Sequence, residues 1–186
     1  MDALFTSLAQ LQSALDQAEI GSALIGGVAV AVWGEPRLTR DVDVKVAISR
    51  EEASRLLSLL SSDYESAYGK PEEVAHQMGM IFLRDALGTR IDLLLAGMPF
   101  DRMAIQRARN VTVAPEVVAR LCTPEDLIIY KMLSTRPRDL EDVKGIVRRQ
   151  GVALDRPYLL KWLRDFDMAL DDSTLVATFQ KLDRTP

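Results

Sequence analysis

Cysteine and histidine are almost absent from this sequence, which has one of each, Cys122 and His76, among its 186 residues. One cysteine cannot form an intrachain disulfide. One cysteine and one histidine are also too few for a zinc site built from several Cys and His ligands. Disulfide frameworks and structural zinc are therefore excluded. Since disulfides belong to oxidising compartments, we expect a cytoplasmic protein.

Long apolar runs and an excess of basic residues are also missing. No stretch approaches the roughly 20 apolar residues that span a bilayer, and residues 1–6 lack the pattern of a leader peptide, so we expect no membrane association. The formal net charge is -4 and the isoelectric point is about 5.1. General nucleic-acid binders usually carry excess positive charge, so this composition argues against that class.

The composition that remains is that of an ordinary globular protein, with 48% hydrophobic and 27% charged residues. Apolar periodicity predicts a mixed α/β (α+β) part over residues 1–115 and a helical region packed on it over residues 116–186. Leucines recur every three or four positions over residues 3–19, the period of an amphipathic helix. Polar and β-branched residues alternate over residues 41–46, as in a half-buried strand, and two more strands are predicted between residues 80 and 95.

Start signals define most of the other predicted helices. Ser49-Arg-Glu-Glu52 is a capping box ahead of a leucine-rich helix, and Thr123 followed by Pro124 is typical of a helix N-terminus. Residues 28–33 fit either a strand or a buried helix, and residues 63–77 show no assignable pattern. The remaining elements are a short strand at Val111–Val113 and helices at residues 99–108 and after Pro137, Asp155 and Asp171.

Two aspartates, Asp41 and Asp43, lie two residues apart in the predicted strand 41–46. Both carboxylates therefore leave one face of the strand, at a backbone separation of about 6.6 Å. Carboxylates at that spacing can bind one divalent cation or bridge two, an arrangement that supports phosphoryl transfer. Asp92 is the candidate third ligand, because an uncompensated charge in its apolar strand would cost several kcal/mol. An Asp-x-Asp pair alone is also compatible with a structural role.

The pair Gly26-Gly27 lies between an apolar run and residues 28–33. Backbone N–H groups at a glycine turn and at a helix N-terminus attract phosphate. A phosphate-binding turn beside three carboxylates fits a single reaction, the transfer of a phosphate-containing group.

Together these residues resemble the polymerase-beta-like nucleotidyltransferase superfamily, in the branch of the abortive-infection (AbiEii-type) toxins. The resemblance covers roughly residues 20–150. It is carried by Gly26-Gly27-Val-Ala, Gly34, Arg37, Thr39, Asp41-x-Asp43 and Asp92, and then by Thr123-Pro-Glu-Asp-Leu, Lys131 and Arg136-Pro-Arg-Asp139-Leu-Glu-Asp142. It implies a small mixed β-sheet palm flanked by helices, with a C-terminal helical region.

The same resemblance implies transfer of NMP from an NTP to an acceptor hydroxyl, with release of pyrophosphate. Asp41, Asp43 and Asp92 would be the catalytic residues and the ligands of Mg²⁺, with Mn²⁺ as the alternative ion. Asp92 would also help to deprotonate the acceptor. The implied nucleotide-binding residues are Gly26, Gly27, Arg37, Thr39, Lys131 and Asp139.

Each nucleotide-binding candidate outside the glycine pair also has a structural explanation. Arg37 could pair with the nearby aspartates, Thr39 could steady its loop, and Lys131 could be a solvated surface residue. The negative charge of Asp139, in the first turn of its helix, would interact favourably with the helix dipole. Most of the superfamily has Gly-Ser in place of Gly26-Gly27, so no serine hydroxyl is available here for phosphate, although Gly-Gly is usual in this branch.

The resemblance leaves the acceptor open between the 3′ end of a tRNA, a protein hydroxyl and a small molecule such as an aminoglycoside. A toxin–antitoxin pair with a cognate partner protein is one setting. The alternative function is a catalytically inactive nucleotidyltransferase fold that binds nucleotide or protein. Three converging carboxylates repel one another without a cation, which favours the active enzyme. A third reading is a structural helical protein with an incidental Asp-x-Asp.

Overall fold

The computed structural model describes residues 3–134, 136–171 and 173–184, and these form a mixed α/β fold of seven strands and nine α-helices, as predicted. The strands are β1 (Ser22–Leu24), β2 (Asp41–Val46), β3 (Tyr64–Ser66), β4 (Met80–Asp85), β5 (Arg90–Leu95), β6 (Arg109–Ala114) and β7 (Val117–Leu121). The helices are α1 (Ala3–Gln17), α2 (Gly26–Trp33), α3 (Ala53–Leu60), α4 (Pro71–Met78), α5 (Pro99–Arg107), α6 (Pro124–Met132), α7 (Pro137–Gln150), α8 (Arg156–Leu170) and α9 (Thr174–Asp183).

All seven strands belong to one mixed sheet, in the order β3-β4-β5-β2-β1-β7-β6. β2 pairs with β5 in parallel, and so does β1 with β7, whereas the other neighbours are antiparallel. In the β2–β5 pair, Asp43 lies directly beside Asp92. The sheet thus brings together two residues that are 49 positions apart in the sequence.

The chain divides into two compact units. The first comprises Met1–Val28 and Leu38–Cys122 and contains the whole sheet with α1, α3, α4 and α5. The second comprises Ala29–Arg37 and Thr123–Pro186 and contains α6 to α9.

The core of the first unit follows from the period-two pattern of its central strands. Val42, Val44 and Val46 alternate with the polar residues of β2, and each of the three is at most 4% exposed. Helix α1 packs against β2 and β7, and Leu8, Leu11 and Leu15, at three- and four-residue spacing, are buried. Full burial of such a side chain contributes about 1.5–3 kcal/mol. The alternation in β2 thus leaves one face of the sheet apolar and places its charged side chains on the other.

The second unit is a helical assembly in which α6 contacts α7 and α8, and α9 contacts α7 and α8. The predicted helix start at Thr123 is confirmed, because its hydroxyl accepts the backbone N–H of Asp126. Gly34 lies so close to α7 that an added Cβ would be 3.0 Å from the backbone nitrogen of Ile146. None of the described helices has the length and apolarity that a membrane crossing requires.

Three elements were not predicted. Residues 63–77 form β3 and α4, and α4 has the start signals of Pro71 with two acidic residues in its first turn. Strand β7 was missed although its buried residues alternate, because the intervening Val118 is apolar yet 58% exposed and so hides the period. Residues 28–33, which fitted either a strand or a helix, belong to α2.

A buried ion pair connects β2 to the start of α5. The Lys45 ammonium lies 2.8 Å from a carboxylate oxygen of Asp101, and the two side chains are 10% and 1% exposed. The other carboxylate oxygen of Asp101 accepts the backbone N–H groups of Gly97 and Met98. Asp101 therefore compensates a buried charge and caps the helix at once.

We expect Asp101→Ala to lower the free energy of unfolding by about 3–5 kcal/mol, because it removes one partner of a buried ion pair. Glu73→Ala is the matched control: its partner Lys70 lies in an exposed pair, and such pairs contribute about 0–1 kcal/mol. Urea unfolding of both variants measures the difference. Equal losses would contradict a stabilising role for the buried pair.

Candidate functional site

Three carboxylates converge on the sheet of the first unit. Asp41, Asp43 and Asp92 each offer one carboxylate oxygen, and these oxygens lie within 4.8 Å of one another. Asp41 and Asp43 are half-buried and Asp92 is 6% exposed. The convergence predicted from period two and from the charge in an apolar strand is therefore present, whereas the roles of these residues stay predictions.

The chemistry of this cluster fits a hard divalent cation. Its donors are all carboxylate oxygens, the ligands that Mg²⁺ and Mn²⁺ prefer. Three negative charges at this separation repel one another strongly in a partly buried setting, and a divalent cation would offset that repulsion. Among the described residues, this is the group of acidic, His and Cys side chains whose geometry could hold a metal ion.

Thr39 holds Asp41 in place. Its hydroxyl donates a hydrogen bond of 2.7 Å to Oδ1 of Asp41. The residue predicted to bind nucleotide therefore contacts a carboxylate of the cluster, and its hydroxyl fixes the direction in which that carboxylate points.

Gly26 and Gly27 lie against the same cluster, where α2 begins. Gly26 has a φ of +65°, and a Cβ on it would be 1.9 Å from Oδ2 of Asp43. A Cβ on Gly27 would be 2.4 Å from the Thr39 hydroxyl oxygen. Both glycines are thus required by close approach. The steric conflict with Thr39 also gives a physical reason for Gly-Gly in place of Gly-Ser.

Arg90 is the site residue that the sequence reasoning missed. Its Nε and Nη2 donate hydrogen bonds of 2.7 and 2.8 Å to the two carboxylate oxygens of Asp92. The guanidinium carbon also lies 5.3 Å from the centre of the Phe82 ring. Hydrogen bonding to Asp92 raises the pKa of Arg90, burial opposes the rise, and the negative charge of Asp41 adds to it. The available signal was its position two residues before Asp92, on the same face of β5.

The remaining predicted residues, Arg37, Lys131 and Asp139, belong to one ion-pair network in the second unit. The buried Lys131 ammonium lies 2.5 Å from a carboxylate oxygen of Asp139 and 2.9 Å from one of Asp142. Arg37 donates two hydrogen bonds to Asp142, and Arg136 donates one to Asp139. Lys131 is therefore not the solvated surface residue of the alternative reading.

Burial alone would raise the pKa of Asp139, but hydrogen bonds from Lys131 and other neighbours outweigh it. The pKa of Asp139 consequently lies below its ordinary value of 3.8. A carboxyl group whose pKa is lower in the folded than in the unfolded state stabilises the fold when it is ionised.

Solved structures of nucleotidyltransferases share this fold. An antigenic nucleotidyltransferase-like protein from Paracoccidioides brasiliensis is 20% identical over 96% of this chain and 93% of that protein, with a TM-score of 0.55. The antibiotic-resistance factor ANT(2'')-Ia is 12% identical over 90% and 94% of the two chains, with a TM-score of 0.59. The lincosamide antibiotic adenylyltransferase LnuA, solved with lincomycin, is 12% identical over 76% and 94%, with a TM-score of 0.50.

No family model matches the sequence, and no curated protein matches it. At identities of 12% to 20%, similarity to solved structures shows the fold alone. The nucleotidyltransferase fold that the resemblance implied is therefore confirmed.

We predict that Gly26→Ala disturbs both stability and divalent-ion binding, because the new methyl group would overlap the Asp43 carboxylate. Gly88→Ala is a matched control, since Gly88 also has a left-handed φ of +79° but no atom within 4 Å of an added Cβ. The left-handed conformation alone costs an alanine roughly 1–2 kcal/mol. Urea unfolding and Mn²⁺ titration should show a larger loss of stability for Gly26→Ala, and weaker Mn²⁺ binding in that variant alone. Equal effects would contradict the steric explanation.

The lowered pKa of Asp139 gives a pH prediction. Its stabilising contribution is complete above the ordinary pKa of 3.8, which applies to the unfolded chain, and disappears as the pH falls through the lower folded pKa. We expect the free energy of unfolding to differ between wild type and Asp139→Asn by a constant amount from pH 7 to pH 5, and the difference to shrink below about pH 4. Glu141→Gln, which removes an exposed charge from the same helix, is the control. A difference that grows at low pH would have the wrong sign.

Proposed function

We propose that this protein is a nucleotidyltransferase that transfers NMP from an NTP to an acceptor hydroxyl and releases pyrophosphate. The observation that carries this proposal is the convergence of Asp41, Asp43 and Asp92 within 4.8 Å on the sheet of a nucleotidyltransferase fold. Like charges this close repel one another, and a bound cation would offset that repulsion.

In this proposal Asp41, Asp43 and Asp92 hold Mg²⁺, or Mn²⁺, which would neutralise negative charge on the phosphate oxygens and polarise the phosphorus under attack. The support is the fit of the donor set: three carboxylate oxygens close enough to share a cation. Thr39 supports the same arrangement, because its hydroxyl fixes the orientation of Asp41.

The chain's own residues would then bind and orient the substrates. Backbone N–H groups at Gly26 and Gly27 would bind the NTP phosphates, since both glycines begin a helix and lie beside the cluster. Asp92 would accept the proton of the acceptor hydroxyl while the acceptor oxygen forms a bond to the α-phosphorus. The bond between the α-phosphorus and the oxygen that joins it to the β-phosphorus would break, and pyrophosphate would leave.

For the second unit we propose that Arg37, Lys131 and Asp139 take part in nucleotide binding. The ion-pair network supports this through its charge balance: Arg37, Lys131 and Arg136 supply three positive charges against the carboxylates of Asp139 and Asp142. The surplus suits an anionic ligand. Within that network Asp139 positions the Lys131 ammonium, and Arg37 offers a planar donor of the kind that matches phosphate.

We further propose that the chain belongs to the AbiEii-type branch and acts in a toxin–antitoxin pair. The motifs from Gly26 to Asp142 support the branch. The acceptor remains one of three chemical classes: RNA, protein or small molecule. Because the formal net charge is -4, long-range attraction favours a protein or small-molecule hydroxyl over an extended RNA.

The experiment is to incubate the protein with each α-³²P-labelled NTP and Mg²⁺ in the presence of tRNA, cell proteins or candidate small molecules. We expect wild type to transfer label to one acceptor class, and Asp41→Asn/Asp43→Asn to lose at least about a hundredfold in rate, because two metal ligands lose their charge. Asp165→Asn, which removes a charge from an exposed ion pair, is the control and should retain activity.

Two results would contradict the proposal. Undiminished transfer by Asp41→Asn/Asp43→Asn would place the chemistry elsewhere. No transfer by wild type, together with no Mg²⁺-dependent NTP binding in calorimetry, would leave an inactive binding module in place of an enzyme.

A further inference from the structure

Arg90 occupies both carboxylate oxygens of a residue that, under the proposed function, binds a metal ion. Its two hydrogen bonds to Asp92 form the bidentate geometry that is the strongest pairing available to an arginine and a carboxylate. Since β2 and β5 pair in parallel, Arg90 also lies directly beside Asp41. Arg90 is therefore hydrogen-bonded to one of the three aspartates and is the strand neighbour of a second, whose negative charge acts on it.

The position of Arg90 is fixed from a second side. Its guanidinium lies 5.3 Å from the centre of the Phe82 ring, within the range of a cation–π interaction. Phe82 is itself beside Asp92 in the β4–β5 pair, and the Tyr68 ring packs edge-on against Phe82 at 5.1 Å. The arginine is thus preorganised at the cluster, while 40% of its side chain remains exposed to solvent.

We infer that Arg90 is a built-in counter-cation, which competes with a divalent ion for Asp92 and becomes available to the anionic substrate once that ion binds. The inference rests on the proposed function, because it assumes that the cluster binds a divalent ion and a triphosphate. The three aspartates together carry three negative charges, and the guanidinium of Arg90 reduces the net charge of the cluster to two.

Two opposite effects follow from this arrangement. A divalent ion that approaches Asp92 meets the positive guanidinium at short range, so Arg90 weakens the binding of the ion by itself. A triphosphate brings negative charge, and a guanidinium on the exposed edge of the cluster attracts it. Arg90 therefore couples the two ligands: the ion binds weakly alone and firmly with the triphosphate.

The test uses three full-length proteins: wild type, Arg90→Gln and Arg84→Gln. Arg84 is the matched control because it is the neighbour of Arg90 in the β4–β5 pair, but its guanidinium donates to the backbone carbonyl of Gly88. Mn²⁺ alone is titrated first. Inorganic triphosphate is then titrated with Mn²⁺ present, which avoids both turnover and base preference.

For Arg90→Gln we expect Mn²⁺ alone to bind at least about threefold more tightly, and triphosphate with Mn²⁺ to bind at least about tenfold more weakly. Arg90→Lys should restore part of the triphosphate affinity, and Arg84→Gln should change both affinities less than twofold. A merely structural role for Arg90 would weaken both bindings together, so changes of opposite sign distinguish the two explanations.

The outcomes separate this inference from the proposed function. If wild type binds Mn²⁺ neither alone nor together with triphosphate, the proposed function itself is wrong. If wild type binds Mn²⁺ but Arg90→Gln binds it no more tightly, or binds triphosphate equally well, the counter-cation role of Arg90 is overturned and the metal site remains. Thermal unfolding of each variant checks that the fold is retained.

Discussion

The parallel pairing of β2 with β5 is the constraint on which the candidate site depends. Its register places Asp43 beside Asp92 and Asp41 beside Arg90, so that four charged side chains share one face of the central sheet. A shift by one residue would turn these charges into the apolar face, where the valines of β2 are buried. The hydrophobic core therefore fixes the position of the charges, although it makes no contribution to their chemistry.

The surroundings of the aspartates serve to hold like charges close together. Hydrogen bonds from Thr39 and Arg90 orient the carboxylates of Asp41 and Asp92, and Arg90 also reduces the negative charge. At the start of α2, Gly26 lets the backbone approach Asp43 and Gly27 lets it approach Thr39, where any side chain would collide. Preorganisation of this kind is what the proposed binding of a cation and a triphosphate in one place requires.

Local patterns in the sequence predicted most of the fold and the three aspartates. Period two identified β2, start signals identified α6, and a charge in an apolar strand identified Asp92. The spacing of Arg90 and Asp92 within one strand was visible in the sequence, but the contact of Arg90 with Phe82 and its place beside Asp41 depend on which strands are neighbours and in what register. Strand β7 was missed for a similar reason: it is recognisable mainly through its pairing with β1 and β6.

The contact between Gly27 and Thr39 links two positions that are 12 residues apart in the sequence. A Cβ at position 27 would lie 2.4 Å from the Thr39 hydroxyl oxygen and 2.6 Å from its Cβ, so the two positions share a space that holds only one side chain. A descendant of this protein could gain a serine at position 27 only with glycine at position 39 or a displaced loop. The site can therefore take a hydroxyl from position 27 at the start of α2 or from position 39 in the loop, but not from both. A protein that diverged from this one would replace one hydroxyl by the other.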